Sequence, residues 1–231
     1  MKRLAILWRF ARPHTVLGSI ISICTLYVIV VHNTGEQHFL LLAAALLIGI
    51  TCNIFIVGIN QIADVEIDRI NKPDLPIPSG NLSPQQARTI VLGSICISLG
   101  LAAIISPYLL AIIAFSNGVG WAYSMPPLHL KRHHLTAALA IITVRGVAVN
   151  VGGFLVFNYI VNGSLEMPQD VRILTLFIVV FTVAIAWFKD LPDVEGDARY
   201  GIWTMAILYS PTTVLYAGHL LVGSAYLLTI G

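Results

Sequence analysis

"GINQIADVEIDRINKPDLPIPSG", residues 58–80, decides how this chain is read. It completes an apolar run, yet Asn60, Asp64 and Asp68 recur every four residues where such a run should be shedding polar groups. At about 100° per residue a four-residue step advances only ~40°, so the three side chains share one helix face. Carboxylates stacked at the end of a hydrophobic helix carry a desolvation cost unless cations or a polar cavity meet them.

The sequence around this stretch is 57% hydrophobic and 10% charged, with a mean hydropathy of +0.85. Soluble domains carry about a quarter charged residues, so this is the composition of an integral membrane protein. Apolar stretches of roughly 18 to 25 residues are long enough to cross ~30 Å of hydrocarbon as helices. They fall at about 14–32, 38–61, 85–105, 107–124, 135–157, 172–189 and 206–230, and Ser106-Pro107 alone separates the third from the fourth. The expected architecture is all-α, a polytopic transmembrane bundle of about seven spans in a single domain over residues 1–231. The basic opening "MKRLAILWRFARPH" is like the start of a signal peptide, but no small-residue cleavage site follows, and the span is read as retained. Cys24, Cys52 and Cys96 lie inside apolar spans with no CxxC spacing, which supports neither a disulfide framework nor a zinc site.

Eleven of the 13 Lys and Arg residues fall on the N-terminal side of a seven-span bundle, with Arg172 opposite and Arg145 within a span. By the positive-inside rule, that side, the N-terminus included, is cytoplasmic. Trp8, Trp121, Trp187 and Trp203 fall near the same interface, as belt tryptophans do.

Eight of the 11 acidic residues form two clusters on that side: Asp64, Glu66, Asp68 and Asp74 after span two, and Asp190, Asp193, Glu195 and Asp197 after span six. Asp64 and Asp193 are 129 residues apart, and so are Asp68 and Asp197, an offset that suggests an internal repeat. Asp190, Asp193 and Asp197, at i, i+3 and i+7, are expected on one helix face. Facing carboxylate stripes without His or Cys select Mg²⁺, which keeps waters and bridges a few carboxylates to substrate phosphates. The expected metal ligands are Asp64, Asp68, Asp193 and Asp197, with Asn60 and Asp190 assisting. Arg69, Lys72, Lys131, Arg132 and Lys189 lie in the same loops as partners for a diphosphate.

Pro73, Pro76 and Pro78 stiffen the loop after the first cluster, and Ser79-Gly80 gives it a turn. Arg145, roughly 15 Å into span five, is expected to face a polar cavity, and Asn53 and Asn150 to make hydrogen bonds between helices. Gly118, Gly120, Gly152 and Gly153 read as points of close helix approach. There is no GxGxxG, P-loop, HExxH or Ser-His-Asp arrangement, and no nucleic-acid partner is expected.

"NQIADVEIDRINKPDLPIPSG" and "FKDLPDVEGDARYG" together resemble the two acidic motifs of the UbiA superfamily of intramembrane aromatic prenyltransferases. "WAYSMPPLHLKR" and "ITVRG" are most similar to its homogentisate branch, the phytyl-transferring members above all. The resemblance implies a Mg²⁺-dependent helical bundle around a lipid-accessible cavity. Such an enzyme joins a prenyl diphosphate to homogentisate with loss of CO₂, as in tocopherol and prenylquinone synthesis, and Tyr123 joins the substrate-binding set. A cyanobacterial plasma or thylakoid membrane, or a plastid membrane, is the implied location. The family has nine spans, so seven imply a truncated chain. Another aromatic or chlorin acceptor, an inactive homologue, and an ion-coupled transporter stay open as alternatives, as does the oligomeric state.

Overall fold

A computed structural model describes residues 2–32, 35 and 37–230, so Met1, Asn33, Thr34, Glu36 and Gly231 lie outside the described residues. Every named element among the described residues is helical, and one isolated parallel bridge joins His133 to Trp203.

The basic opening forms a short amphipathic helix of its own, α1 (Lys2–Phe10). Leu4, Leu7 and Trp8 face outward, while Phe10 is buried at 1% exposure. Two polar contacts hold this helix to the bundle: Arg9 Nη2 donates to the Asp74 carbonyl at 2.5 Å, and Gln61 Nε2 to the Phe10 carbonyl at 2.8 Å. Arg12, at φ 53°, turns the chain into α2 (Pro13–His32), whose first residue is a proline pre-set for that position.

The chain continues as α3 (Phe39–Ala63), α4 (Val65–Asn71), α5 (Pro84–Ile105) and α6 (Pro107–Ser124). Sharp starts follow from the sequence. Ser83 and Gln86 form a capping box in front of α5, and the Ser106 hydroxyl accepts from the Tyr108 amide in front of α6. Helix α7 (His134–Ile141) passes through π-helical turns, Ile142–Gly152, into α8 (Gly153–Asn162), so this segment runs past the expected end at 157. Then come α9 (Gln169–Phe188), α10 (Val194–Arg199), α11 (Met205–Tyr209) and α12 (Pro211–Ile230). The last expected span is broken at Ser210, φ 97°, because a residue before proline is sterically excluded from the helical region.

Among the described residues, five segments are long and apolar enough to cross a membrane: Pro13–His32, Phe39–Ala63, Pro84–Ile105, His134–Asn162 and Gln169–Arg199. Helices α6 and α12 occupy the places of the other two expected spans. In α6 the polar residue is turned inward: buried Asn117 donates to Ser98 Oγ at 3.3 Å and accepts from Cys52 Sγ at 3.2 Å.

Apolar side chains pack α2 against α3 and α8, around Leu26, Val30, Ala45, Phe154 and Phe157. A second cluster ties Phe10 to Phe55, Ile77, Leu82 and Val91, fixing the proline-rich loop to the bundle. Gly80 takes φ 75° in that loop, as its turn requires. Close helix approach holds at Gly120 and Gly152, where an added Cβ would lie 2.6 Å from Ile56 and 2.8 Å from Ile112; at Gly118 nothing lies within 4 Å.

Candidate active site

Helix α3 ends at Ala63, and Asp64, at φ −103° and ψ 14°, bends the chain before α4 begins. The helical hydrogen bonds survive the bend, with the Asp64 amide donating to Asn60 O at 2.9 Å and the Asp68 amide to Asp64 O at 2.7 Å. Asn60, Asp64 and Asp68 therefore keep their common face, and Asn60 Nδ2 donates to Asp64 Oδ2 at 2.8 Å. The same amide reaches the buried Ser124 hydroxyl at 3.4 Å.

The second cluster departs from the expected single helix face. Pro192 has no amide hydrogen to continue the ladder, so α9 stops and a 3₁₀ turn, Leu191–Asp193, intervenes before α10. Asp190 and Asp197 are nonetheless buried, as are Asp64 and Asp68.

Three lysines from three different loops enter this cluster of acids. Lys72, after α4, pairs with Asp193; buried Lys131, after α6, pairs with Asp64; and Lys189, after α9, pairs with Asp190. Lys189 Nζ also lies 5.8 Å from the centre of the Tyr123 ring, which brings Tyr123 to the pocket. The loops themselves are tied, since the Trp203 amide donates to Arg132 O at 2.8 Å and the His134 amide to Trp203 O at 3.0 Å. Buried carboxylates on both motifs are thus compensated by cations the chain itself supplies.

Not every expected residue arrives here. Arg69 is exposed and engaged with Glu66 one helical turn away, at 2.7 Å, because its position on α4 points it to the surface. Arg132 is exposed, and only its carbonyl takes part in the loop pairing. Asn53 bridges helices as expected, donating to Thr15 Oγ1 at 3.0 Å, whereas Asn150 bonds within its own π-helical segment to the Arg145 carbonyl. Arg145 lies mid-segment and is not covered by other parts of the chain, with Nη1 4.0 Å from where a Cβ on Gly18 would sit.

Asp68, in α4, shows a conflict between charge and environment. Burial pushes its carboxyl up to about 6; the Arg12 guanidinium works against this, while the Asp64 and Asp193 carboxylates reinforce it. Both acidic motifs therefore act on one carboxyl.

A divalent cation can be weighed against these donors. Among the described residues no three His, Cys, Asp or Glu side chains converge into a metal cage. Among the described residues, two buried carboxylate oxygens, Asp68 Oδ2 and Asp193 Oδ1, have no hydrogen-bond partner. An all-oxygen set with free oxygens and exchangeable lysines fits Mg²⁺, which is held by one or two carboxylates with waters and substrate phosphates.

Sequence reasoning passed over four residues that the geometry brings in: Arg12, Asn71, Ser124 and Gly196. Asn71 donates to the Asp193 carbonyl at 3.0 Å and accepts from the Gly196 amide at 2.8 Å. Its one signal was the helix-ending position before Lys72-Pro73; Arg12 read as a topology charge.

Residues 21–231 match the sequence profile of the UbiA prenyltransferase family. This chain belongs to the UbiA prenyltransferase family. It is 41% identical to the homogentisate phytyltransferase of Synechocystis sp., over 95% of this chain and 73% of that protein. It is 35% identical to the chloroplastic homogentisate solanesyltransferase of Arabidopsis thaliana, over 91% of this chain and 56% of that protein. The chain thus spans about three quarters of the first relative and little more than half of the second. A UbiA homolog from Archaeoglobus fulgidus solved with GPP and Mg²⁺ superposes with a TM-score of 0.75 at 19% identity, covering 96% of this chain and 76% of that one. That likeness is one of fold. As a UbiA-family chain with five long apolar segments, the protein is an integral membrane protein.

Proposed function

We propose that this UbiA-family chain is a single prenyltransferase domain that transfers a prenyl group, phytyl or geranylgeranyl, from its diphosphate to homogentisate with decarboxylation. One observation carries this reading: Asp64 and Asp68 meet Asp190, Asp193 and Asp197 across a gap of 129 residues in sequence, at one end of the bundle, interleaved with Lys72, Lys131 and Lys189. Relatives that act on homogentisate, and a fold neighbour solved with a prenyl diphosphate and Mg²⁺, support it.

Asp64, Asp68, Asp193 and Asp197 are the residues that would hold Mg²⁺, with Asn60 orienting Asp64. Bound there, Mg²⁺ supplies charge neutralisation for the diphosphate as the allylic C–O bond breaks. Lys72, Lys131 and Lys189 are paired to carboxylates in this structure and are the cations that would hold the phosphate oxygens. Tyr123, beside Lys189, would contact the diphosphate where it meets the apolar interior. There the prenyl chain lies among helix faces that keep water from the allylic cation. Arg145, mid-segment beside Gly18 of α2, orients the carboxylate of the acceptor. A ring carbon forms the new C–C bond to the prenyl carbon as the diphosphate leaves and then gives up its proton, and the side-chain methylene takes up a proton as its bond to the departing CO₂ breaks. The pocket lies on the Lys- and Arg-rich side, which the positive-inside rule makes cytoplasmic, in a cyanobacterial or plastid membrane.

Incorporation of radiolabelled phytyl, geranylgeranyl and longer prenyl diphosphates into homogentisate, with and without EDTA, tests this. EDTA-sensitive product with one of the shorter donors is expected. Failure with every donor, or transfer indifferent to EDTA, would overturn it.

A further inference from the structure

The two acidic motifs sit on separate short helices, α4 and α10, each joined to its long helix through a bend at an aspartate. Nothing in the backbone of either helix obliges the other to hold a fixed distance. The amide of Asn71 supplies that constraint. Its Nδ2 donates to the Asp193 carbonyl at 3.0 Å and its Oδ1 accepts from the Gly196 amide at 2.8 Å, so both ends of one side chain are spent on the neighbouring helix. The two receiving groups bracket the turn from Asp193 into α10. The Asp193 carbonyl sits where the 3₁₀ turn gives way to α10, and the Gly196 amide is one of the first-turn donors that a helix leaves without an internal partner.

Residue 196 is a glycine for a reason the same contact gives. A Cβ there would lie 2.5 Å from Asn71 Oδ1 and 2.6 Å from both Cγ and Nδ2, inside the whole amide rather than against a flexible tip. The next residue after Asn71, Lys72, pairs with the Asp193 carboxylate. Adjacent residues thus hold the main chain and the side chain of the same aspartate.

We infer that Asn71 is a positioning residue that couples the two acidic motifs, so that a cation or diphosphate engaged by one is presented to both. It contacts Asp193 only at the main-chain carbonyl, leaving the carboxylate to the proposed cation, and acts through Asp193 and the start of α10. This rests on the proposed reading of the pocket as a divalent-cation site. It makes "DVEGD" a matched part of "IDRIN", with Gly196 the receptor for Asn71.

Hydrogen exchange of the full chain in detergent, with Mg²⁺ as the probe, reads the coupling without turnover. In the parent, the Gly196 amide is expected to exchange at least tenfold more slowly than in Asn71→Ala, and Mg²⁺ should slow exchange in α4 and α10 over one concentration range. In Asn71→Ala the two helices should respond at different Mg²⁺ concentrations. Asn71→Asp keeps the acceptor but loses the donor, and should retain Gly196 protection only in part. Gly196→Ala should mimic Asn71→Ala, and adding it to Asn71→Ala should change little, because the clash has gone with the amide. In transfer assays the loss should appear as an approximately tenfold weaker apparent affinity for Mg²⁺ and prenyl diphosphate. The KM for the aromatic acceptor should stay unchanged, and kcat should largely recover at saturating metal. A merely structural residue would lower all parameters and the Tm together. An unaltered Gly196 amide, or a single unshifted Mg²⁺ response in Asn71→Ala, would overturn the clamp while leaving the site reading intact. A parent chain in which Mg²⁺ protects neither helix would overturn the site reading and the clamp with it.

Discussion

Asp64 and Asp193 stand 129 residues apart and share one backbone conformation, φ −103° and ψ 14° in the first, φ −105° and ψ 4° in the second. Each follows a long apolar helix, Asp64 directly and Asp193 after a 3₁₀ turn, opens a short helix and takes a lysine from another loop. The spacing that suggested a repeat corresponds to a repeated bend, which turns the carboxylate that follows, Asp68 or Asp197, back beneath the bundle.

Asp64→Asn and Asp193→Asn are each expected to lower kcat for prenyl transfer by about 10² or more, the scale of losing a preorganised electrostatic contact to the leaving group. Asparagine keeps the shape and a hydrogen-bonding oxygen, so the protein should still insert and elute as the parent does. Turnover within a few-fold of the parent in either variant would remove that residue from the metal set.

Lys131 and Asp64 form the most deeply buried of the ion pairs, so removing one partner strands the other. Lys131→Ala should cost about 3–5 kcal/mol of stability. Lys131→Ala/Asp64→Ala should recover much of that loss, read as Tm in detergent. A double variant no more stable than Lys131→Ala would show that the pair is not energetically coupled.

For Arg145→Leu, replacement of a mid-segment charge by a membrane-compatible side chain should leave the fold intact. The KM for the aromatic acceptor should rise by about tenfold or more, with prenyl diphosphate affinity unchanged. Identical KM and kcat would confine Arg145 to a structural role.

Asp68 makes opposite demands on pH with and without metal. Its folded value, about 6, lies above the ordinary carboxylate range, so the folded state holds the proton more tightly than the unfolded chain. Metal-free stability from this group is therefore fully present below the ordinary value and lost as pH rises through about 6, a change on the order of 2–3 kcal/mol. Mg²⁺ needs the ionised carboxylate, so its affinity should fall as pH drops below about 6. Comparing the parent with Asp68→Asn at pH 5 and 7.5, by Tm without metal and by Mg²⁺ titration, separates the two. Parallel pH profiles for both proteins would rule out Asp68 as the titrating group.

By itself the sequence determined that this is a helical membrane protein, where its long apolar segments run, and which acids belong together. Those properties are local: hydrophobic length, a four-residue period and the spacing of charges are carried by the residues themselves. The break at Pro192 and the interruption before Pro211 were in principle legible too, since proline acts on its own backbone. Tertiary structure alone decided which cation meets which carboxylate. Lys72, Lys131, Arg69 and Arg132 look alike in sequence, yet Lys131 pairs with Asp64, Lys72 with Asp193, and Arg69 closes on its own helix with Glu66. The sequence could assign neither Arg12 nor Asn71 a role, because a loop charge and a helix-ending amide acquire one only from what stands opposite. What stands opposite Asn71 is the main chain of Asp193 and Gly196, more than 120 residues away, brought there by the packing of helices that carry no chemistry at all.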